Sequence, residues 1–202
     1  MQAARGASLN ARNIEGADDA DDADDAAGAT EAHDGSTPVA GTGQPRRVVM
    51  FATVAALTIA LDVVTKVAAV AFLADREPVV VVPGVLDLTL VRNPGAAFGL
   101  GTGQTWLLSA IAIVVVGVVL RMAGRLRDRG WALALGLLLG GAVGNLLDRL
   151  FRQPGPMRGH VIDFLQLPNW PVFNLADSAI CLAAALVVWR SLRGVELDGR
   201  TE

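Results

Sequence analysis

Residues 131–150 read WALALGLLLGGAVGNLLDRL, and this stretch decides the fold. Its length matches the ~20 residues that an α-helix needs to cross the hydrocarbon core of a bilayer. The first two thirds are apolar, whereas Asn145, Asp148 and Arg149 gather at the end. Asn145 and Asp148 are three residues apart and share a helical face. The stretch predicts a membrane-spanning helix with a polar site at one end.

Three more segments of the chain are equally apolar and long. Hydrophobic residues make up 52% of the sequence, which is too many for an ordinary soluble domain. A helix satisfies its own backbone hydrogen bonds, as the bilayer requires. The sequence therefore predicts an all-α polytopic membrane domain over residues 46–193, with four transmembrane helices at about 48–73, 105–122, 131–150 and 172–192. The tryptophans near the segment ends are expected to be interfacial anchors: Trp106, Trp131, Trp170 and Trp189.

The two ends of the chain differ from this domain in composition. Residues 1–45 contain nine acidic and two basic residues, including the run DDADDADD at 18–25. Such a charge run predicts a disordered, solvated tail, and no apolar core with a cleavage site marks it as a signal peptide. Residues 194–202 are predicted to form a short C-terminal tail. Both tails are expected to be cytoplasmic.

Arginine placement predicts the orientation in the membrane. Nine arginines lie at one end of the predicted bundle: Arg46, Arg47, Arg121, Arg125, Arg127, Arg129, Arg190, Arg193 and Arg200. Five lie at the other: Arg76, Arg92, Arg149, Arg152 and Arg158. Because basic loops stay in the cytoplasm, both termini are expected there, with the loops at about 74–104 and 151–171 outside.

The first outer loop is predicted to contain β-structure. VVVV at 79–82 and LDLTLV at 86–91 have the composition of short strands, and Pro83-Gly84 supplies a turn between them. We expect a small extracytoplasmic β-sheet, or cradle, over about 77–99, resting on the bilayer between helices 1 and 2.

Two carboxylates near the outer ends of apolar segments are the candidate catalytic residues. Asp163 lies in VIDF at 161–164, an apolar setting that raises the pKa of a carboxyl, and Asp177 lies in FNLADS at 173–178. Two adjacent carboxylates share one proton, so one can activate water while the other donates a proton. The alternative is that Asn174 or Asp177 only caps a helix.

Other polar residues allow both structural and functional interpretations. Asp62 and Lys66 are four residues apart on one helical face, either as an ion pair that locks the bundle or as part of a polar cavity. Asn93, in RNPGAAFG at 92–99, either forms a turn or offers its amide to a substrate backbone. A serine triad would require His160 to reach Ser178.

Cofactor chemistry has little support in the sequence. The chain has one cysteine, Cys181, so it cannot form an intramolecular disulfide, and its two histidines are too few for a convincing metal centre. There is no glycine-rich phosphate loop. We expect no metal and no cofactor.

Five blocks together resemble lipoprotein signal peptidase, also called signal peptidase II. They occur in the family's order and cover about residues 48–192: LDVVTK at 61–66, RNPGAAFG at 92–99, GGAVGNLLDRL at 140–150, VIDF at 161–164 and PVFNLADSAI at 171–180. The resemblance implies a globomycin-sensitive aspartyl endopeptidase of the bacterial plasma membrane. It would cleave prolipoproteins immediately before a diacylglyceryl-modified cysteine, using a site at the extracytoplasmic face.

The resemblance also assigns roles to individual residues. Asp163 and Asp177 match the catalytic dyad. The substrate-binding residues would be Asn93, Asn145, Arg149 and Asn174, supported by Asp62, Lys66, Asp148 and Ala176. The expected partners are the prolipoprotein substrate and membrane lipids, without nucleic acid, and the expected state is a monomer.

Two other functions fit a four-helix membrane protein. A small transporter or channel would use Asp62, Lys66 and Asp148 as an ion relay, and would distribute polar residues across the bilayer depth. A structural scaffold would leave the aspartates replaceable and would not respond to globomycin.

Overall fold

Four long helices and a small sheet make up the computed structural model, which describes residues 47–95 and 104–200. In chain order the elements are α1 Val48–Leu73, β1 Val79–Val82, β2 Leu86–Asn93, α2 Thr105–Ala123, α3 Arg129–Phe151, β3 Val161–Gln166 and α4 Leu175–Leu192. All four helices are long and apolar enough to cross a membrane. The predicted fold class is confirmed. The predicted tail over 1–45 and the end of the predicted strand region, at 96–99, lie outside the described residues.

Helix α3 is the centre of the bundle. It packs against α1, α2 and α4. In its most apolar stretch of 18 residues, 56% of the residues are buried, compared with 17% in the corresponding stretch of each of the other three helices. Small residues allow this close packing. A Cβ atom on Gly141 would lie 2.5 Å from the carbonyl oxygen of Ala176 in α4. The glycines in the opening sequence therefore bring the polar end of α3 close to the start of α4.

Two helices begin at positions that differ from the sequence prediction. α3 begins at Arg129 rather than at residue 131, because Asp128 caps it by accepting a hydrogen bond from Trp131 N at 2.8 Å. α4 begins at Leu175 rather than at residue 172. The residues before it are extended, and Phe173 forms a β-bridge with Leu165.

The sheet contains one strand more than the sequence indicated. Its order is β1-β2-β3 with both pairs antiparallel, and β1 and β2 occupy the predicted strand region. β3 comes from residues 151–171, which were expected to be only a loop. Ile162 and Phe164 of β3 are buried against Ala69 and Leu73 of α1, which anchors the sheet to the bundle.

The C-terminal segment closes the opposite, arginine-rich end of the bundle. Val195 and Leu197 pack against the apolar cluster there, and Leu197 O accepts a hydrogen bond from Arg127 N at 2.9 Å. Trp131 is 9% exposed and its indole donates to Val195 O at 2.7 Å. Trp131 is therefore a core residue and not the interfacial anchor that its position near a segment end suggested.

Candidate active site

Strand β3 positions Asp163 beside the end of β2. Asp163 is opposite Val91 in the register, and Asn93 follows two residues later on the same side of β2. Asn93 Nδ2 donates a hydrogen bond to Asp163 Oδ2 at 2.8 Å, and Asn174 Nδ2 donates one to Asp163 Oδ1 at 2.6 Å. Both carboxylate oxygens therefore accept an amide donor, which holds the carboxyl plane in one orientation.

Burial raises the pKa of the Asp163 carboxyl from its ordinary value to about 6. The side chain is only 2% exposed, so desolvation of the charged form is the largest cause. The amide of Asn93 lowers the pKa, the negative charge of Asp177 raises it, and Asn174 and Lys66 lower it. Burial prevails over the amide donors, as the apolar VIDF context predicted.

The first turn of α4 positions Asp177. Asn174 is the N-cap residue, and its Oδ1 accepts a hydrogen bond from Asp177 N at 2.9 Å. Asp177 Oδ2 accepts one in return from Asn174 N at 3.2 Å, which completes a capping box. The capping interpretation of these two residues is therefore correct. It does not exclude a catalytic role, because Asn174 Nδ2 and Asp177 Oδ1 both point away from the cap.

Asn145 of α3 connects the two halves of this arrangement. Its Nδ2 donates a hydrogen bond to Asp177 Oδ1 at 2.8 Å. Its Oδ1 accepts one from Asn174 Nδ2 at 3.2 Å and another from Lys66 Nζ at 2.9 Å. Asp163 and Asp177 are thus joined through the amides of Asn174 and Asn145, although the four residues come from three separate elements.

Beneath the amides lies a buried ionic cluster. Lys66 Nζ is 2.7 Å from Asp62 Oδ2 and 3.0 Å from Asp148 Oδ2. Asp148 also pairs with Arg152 and accepts a hydrogen bond from Ile162 N at 3.2 Å. The Asp62–Lys66 pair is therefore a structural ion pair that contacts the amide network but does not itself line a polar cavity.

Asp62 reaches across the bundle to the start of α4. Its Oδ1 accepts a hydrogen bond from Ala176 N at 3.0 Å, one of the donors that the first turn of a helix leaves unpaired. Gly144 leaves room for this contact, since a Cβ atom there would lie 2.5 Å from Asp62 Oδ2. The small residues Gly144 and Ala176 therefore allow three helices to meet below the aspartates.

Arg149 holds the turn that follows β2. It is 7% exposed, and its Nη2 donates a hydrogen bond to Gly95 O at 2.8 Å. Asn93 Oδ1 accepts another from Gly95 N at 2.9 Å. Within residues 47–95 and 104–200, Arg149 Nη1 has no hydrogen-bond partner.

A cavity of about 690 Å³ opens beside the two aspartates. Its polar lining includes Asp163, Asp177, Asn93, Asn145 and Arg149. The rest of its wall is mainly apolar. Part of it comes from the three helices α2, α3 and α4: Leu108, Ile111, Ala112, Val115, Leu138, Ala142, Ile180 and Cys181. Another part comes from β3 and the segment before α4: Val161, Leu167, Trp170, Pro171, Val172 and Phe173. The cavity therefore joins a polar end at the sheet to an apolar groove inside the bundle.

The remaining predicted site residues do not line this cavity. Asn174 is fully buried and acts through its contacts with Asp163 and Asn145. The supporting residues lie behind the amides: Asp62, Lys66, Asp148 and Ala176. Ser178 lines the cavity, but its hydroxyl donates to Asn174 O at 3.0 Å rather than to His160. The structure thus does not support the serine triad.

Sequence reasoning missed the α2 wall of the cavity. Leu108, Ile111, Ala112 and Val115 recur every three or four residues and lie on one face of α2. The neighbouring α2 positions are equally apolar, so no change in polarity distinguishes the face that lines the cavity. Across the part of the chain that the structure describes, no group of three or more potential ligands is arranged to hold a metal ion.

Residues 54–193 match the family model described as "Signal peptidase (SPase) II". The chain belongs to the signal peptidase II family. It is therefore an aspartic peptidase, and the sequence resemblance is confirmed. This assignment favours the peptidase over both the transporter and the scaffold hypotheses.

Curated relatives of the peptidase have the same family name. A lipoprotein signal peptidase of Rhodococcus jostii (strain RHA1) is 49% identical over 165 residues, which cover 82% of this chain and 83% of that protein. One from Mycobacterium tuberculosis (strain ATCC 25618 / H37Rv) is 47% identical over 170 residues, 84% of each chain. The similarity spans most of both proteins.

Solved structures of bacterial membrane enzymes share the fold of the peptidase. One, determined by the in meso method at 2.3 Å resolution, has a TM-score of 0.67 and 25% identity, and covers 74% of this chain and 92% of that one. A second, at 1.9 Å, has a TM-score of 0.65 and 25% identity, with 75% and 97% covered. The peptidase is a multi-pass membrane protein.

Proposed function

We propose that this peptidase removes the signal peptide from bacterial prolipoproteins, cleaving immediately before a diacylglyceryl-modified cysteine. One observation carries the proposal: Asp163 and Asp177, from different elements, line the same cavity and share the amide network of Asn174 and Asn145. Paired carboxylates in such a setting provide the acid and the base that peptide hydrolysis needs.

The surroundings of the two aspartates favour different protonation states. Asp163 is almost fully buried and its pKa is raised to about 6, so it is the better holder of the shared proton. Asp177 is partly exposed and accepts hydrogen bonds from Asn145 Nδ2 and from a backbone N–H at the start of α4. Donors at a helix N-terminus stabilise a carboxylate. We assign the proton to Asp163 and the negative charge to Asp177.

Peptide hydrolysis then follows from this assignment of the proton and the negative charge. Asp177 removes a proton from water, the water oxygen attacks the scissile carbonyl carbon, and Asp163 donates its proton to the carbonyl oxygen. As the diol collapses and the C–N bond breaks, the proton held by Asp177 passes to the amide nitrogen and one diol hydroxyl returns its proton to Asp163, so both aspartates regain their starting states. The products are the signal peptide with a new carboxyl terminus and the lipoprotein with a free amine.

The other cavity residues are proposed to hold the substrate backbone. Asn93 and Asn145 present amides beside the two carboxylates, and Arg149 Nη1 is a donor without a partner in the described part of the chain. Asn174 is proposed to contribute by holding Asp163 in place. The apolar groove suits a substrate that arrives from within the bilayer, with membrane lipids as its surroundings.

The orientation and assembly of the peptidase are part of the same proposal. The excess of arginines at one end of the bundle favours both termini in the cytoplasm and the site at the outer face of the plasma membrane. The peptidase is proposed to act as a monomer without nucleic acid, metal or cofactor, and to bind globomycin. Residues 1–45 are proposed to be a solvated cytoplasmic tail.

The test is cleavage of a lipid-modified precursor by Asp163→Asn and Asp177→Asn variants in proteoliposomes, followed by gel shift. Both variants are expected to lose cleavage, because an amide neither activates water nor donates an acidic proton. Asp87→Asn is the matched control, since Asp87 lies in the same sheet but does not line the cavity. It should retain activity.

Two further measurements make this test specific. A precursor with an unmodified cysteine should remain uncleaved, and globomycin should raise the melting temperature of the wild type. Near-normal turnover by either Asn variant would rule out the dyad, provided that both proteins insert in the membrane.

A further inference from the structure

We propose that Lys66 is a positioning residue that sets the orientation of the Asn145 amide and thereby aims its Nδ2 at Asp177. This inference rests on the proposed function, which assigns the catalytic role to Asp177. Lys66 lies in α1, does not line the cavity, and is connected to Asp177 by its hydrogen bond to Asn145.

The surroundings of the Lys66 ammonium decide which atom of Asn145 faces it. Three oxygens lie within 3.0 Å of Nζ: Asp62 Oδ2 at 2.7 Å, Asn145 Oδ1 at 2.9 Å and Asp148 Oδ2 at 3.0 Å. An ammonium group has three donors and no acceptor. Lys66 is 1% exposed, so water does not replace any of these partners.

The opposite orientation of Asn145 would create two conflicts at once. Its NH₂ group would face the ammonium of Lys66, donor against donor. Its carbonyl oxygen would face Asp177 Oδ1, acceptor against acceptor, in place of the present 2.8 Å hydrogen bond. Lys66 therefore selects the orientation in which Asp177 receives a hydrogen bond that stabilises its negative charge.

A second contact limits the size of the expected effect. Asn174 Nδ2 also donates to Asn145 Oδ1, at the longer distance of 3.2 Å. This donor would favour the same orientation after Lys66 is removed. Loss of Lys66 should therefore weaken catalysis by about 10- to 100-fold, the range for losing a hydrogen bond to a charged group, and should not abolish it.

The substitution must not leave a buried charge without a partner. Lys66→Met alone would leave Asp62 and Asp148 as buried carboxylates facing an apolar side chain, which is strongly destabilising. The pair Asp62→Asn with Lys66→Met keeps the net charge of Asp62, Lys66 and Asp148 at −1. The oxygen of the new Asn can still accept the hydrogen bond from Ala176 N.

The experiment is a double-mutant cycle on kcat for a lipidated precursor. Asn145→Ala is introduced into the wild type and into the Asp62→Asn/Lys66→Met protein. The paired variant is expected to lower kcat with little change in KM. In that background Asn145→Ala should lower kcat by a smaller factor than it does in the wild type, because only the longer contact with Asn174 then orients the Asn145 amide.

Asn93→Ala supplies the control cycle. Asn93 contacts Asp163 and not Lys66. Asn93→Ala should therefore lower kcat by the same factor in both backgrounds. Equal costs of Asn145→Ala in the two backgrounds would overturn the proposal, as would a smaller cost of Asn93→Ala in the paired variant. If the paired variant does not accumulate, Asp62→Asn with Lys66→Leu, which keeps the same net charge, replaces it with the same expected pattern.

The two proposals fail in different ways. If Asp163→Asn or Asp177→Asn retains turnover, the dyad is wrong whatever the cycle shows. If both variants are inactive but the Asn145 cycle is additive, the dyad stands and the role of Lys66 is wrong.

Discussion

A single buried carboxyl shows how local chemistry determines the properties of this site. Asp163 accepts amide hydrogen bonds on both oxygens, which alone would favour its charged form. Its pKa is nevertheless raised to about 6, because the residue is buried on strand β3 and lies near the negative charge of Asp177. The folded protein thus binds a proton at Asp163 at a pH where the unfolded chain has released it.

This difference predicts a pH-dependent stability. Between pH 3.8 and about 6 the folded state holds more protons than the unfolded state, so the free energy of unfolding falls as pH rises. The loss amounts to about 3 kcal/mol for a shift of this size and is complete above the folded pKa. The Asp163→Asn substitution removes this pH-dependent loss of stability, because asparagine does not titrate. The melting temperature of the variant, relative to wild type in the same detergent, should therefore be higher at pH 7.5 than at pH 4.

Constant relative melting temperatures at the two pH values would contradict this prediction. The comparison between pH values is needed because the new amide also faces the donors of Asn93 and Asn174, which costs stability at every pH. Asp87→Asn, in the same sheet but outside the cavity, serves as the control variant.

At the level of elements, the start of α4 is the point on which the site depends. α4 carries Asn174 and Asp177, and its second residue, Ala176, is bonded by Asp62 from α1. Gly144 of α3 provides the space for that carboxylate. Three helices and one cap therefore position the turn that contains Asp177, and a change in any of them should move this side chain.

Gly144→Ala should disturb this junction. The added Cβ would lie 2.5 Å from Asp62 Oδ2, so the carboxylate must shift, which disturbs its contacts with Lys66 and with Ala176 N. We expect a loss of about 1–3 kcal/mol in the free energy of unfolding, as for other overpacked sites, together with lower kcat. Thermal unfolding and turnover of the purified variant measure both.

Gly117→Ala is the matched control for this change. Gly117 lies within α2, where an added Cβ would meet nothing within 4 Å. The same substitution should therefore leave stability and turnover intact. Equal effects of the two substitutions would show that the close contact at Gly144 has no special role.

At the scale of the whole molecule, polar and basic residues separate to opposite ends of the bundle. The amides, the aspartates and the ionic cluster lie near the sheet, whereas nine of the fourteen arginines after residue 45 lie at the opposite end, before α1, in and beside the α2–α3 loop and around the end of α4. A transporter would be expected to distribute polar groups through the bilayer depth. This separation suits an enzyme that works at one membrane surface.

The proposed orientation can be tested by cysteine labelling in a Cys181→Ala background. Arg158→Cys lies in an exposed position between α3 and β3, and Glu196→Cys lies in an exposed position after α4. Neither change weakens the arginine bias. An impermeant maleimide should label Arg158→Cys in intact cells and Glu196→Cys only after permeabilisation. The reverse pattern would invert the proposed topology.

Much of this protein could be predicted from its sequence because the relevant signals are local. Apolar length alone indicates four spanning helices, since the bilayer requires about twenty residues per helix. Carboxylates beside such segments are costly, so Asp163 and Asp177 stand out without any coordinates. The family blocks add an ordered set of motifs, and the family model confirms them.

Other features depend on contacts between distant residues, and only the tertiary structure decides them. Asp163 and Asn93 are 70 residues apart, and they meet because β3 pairs with β2. A short strand between a turn and a helix has too weak a local pattern to predict that pairing. The cavity face of α2 is hidden for a different reason, since all of its faces are apolar.

The sequence by itself therefore determined the number of spanning helices, the family and the candidate acids, because hydrophobic length and isolated charges are properties of single segments. Tertiary structure decided how those acids are held. Asn174 is both a helix cap and a ligand of Asp163, and Lys66 reaches Asp177 through Asn145. These relations depend on the positions of α1, α3 and α4 relative to one another, which the pattern along any one segment does not contain.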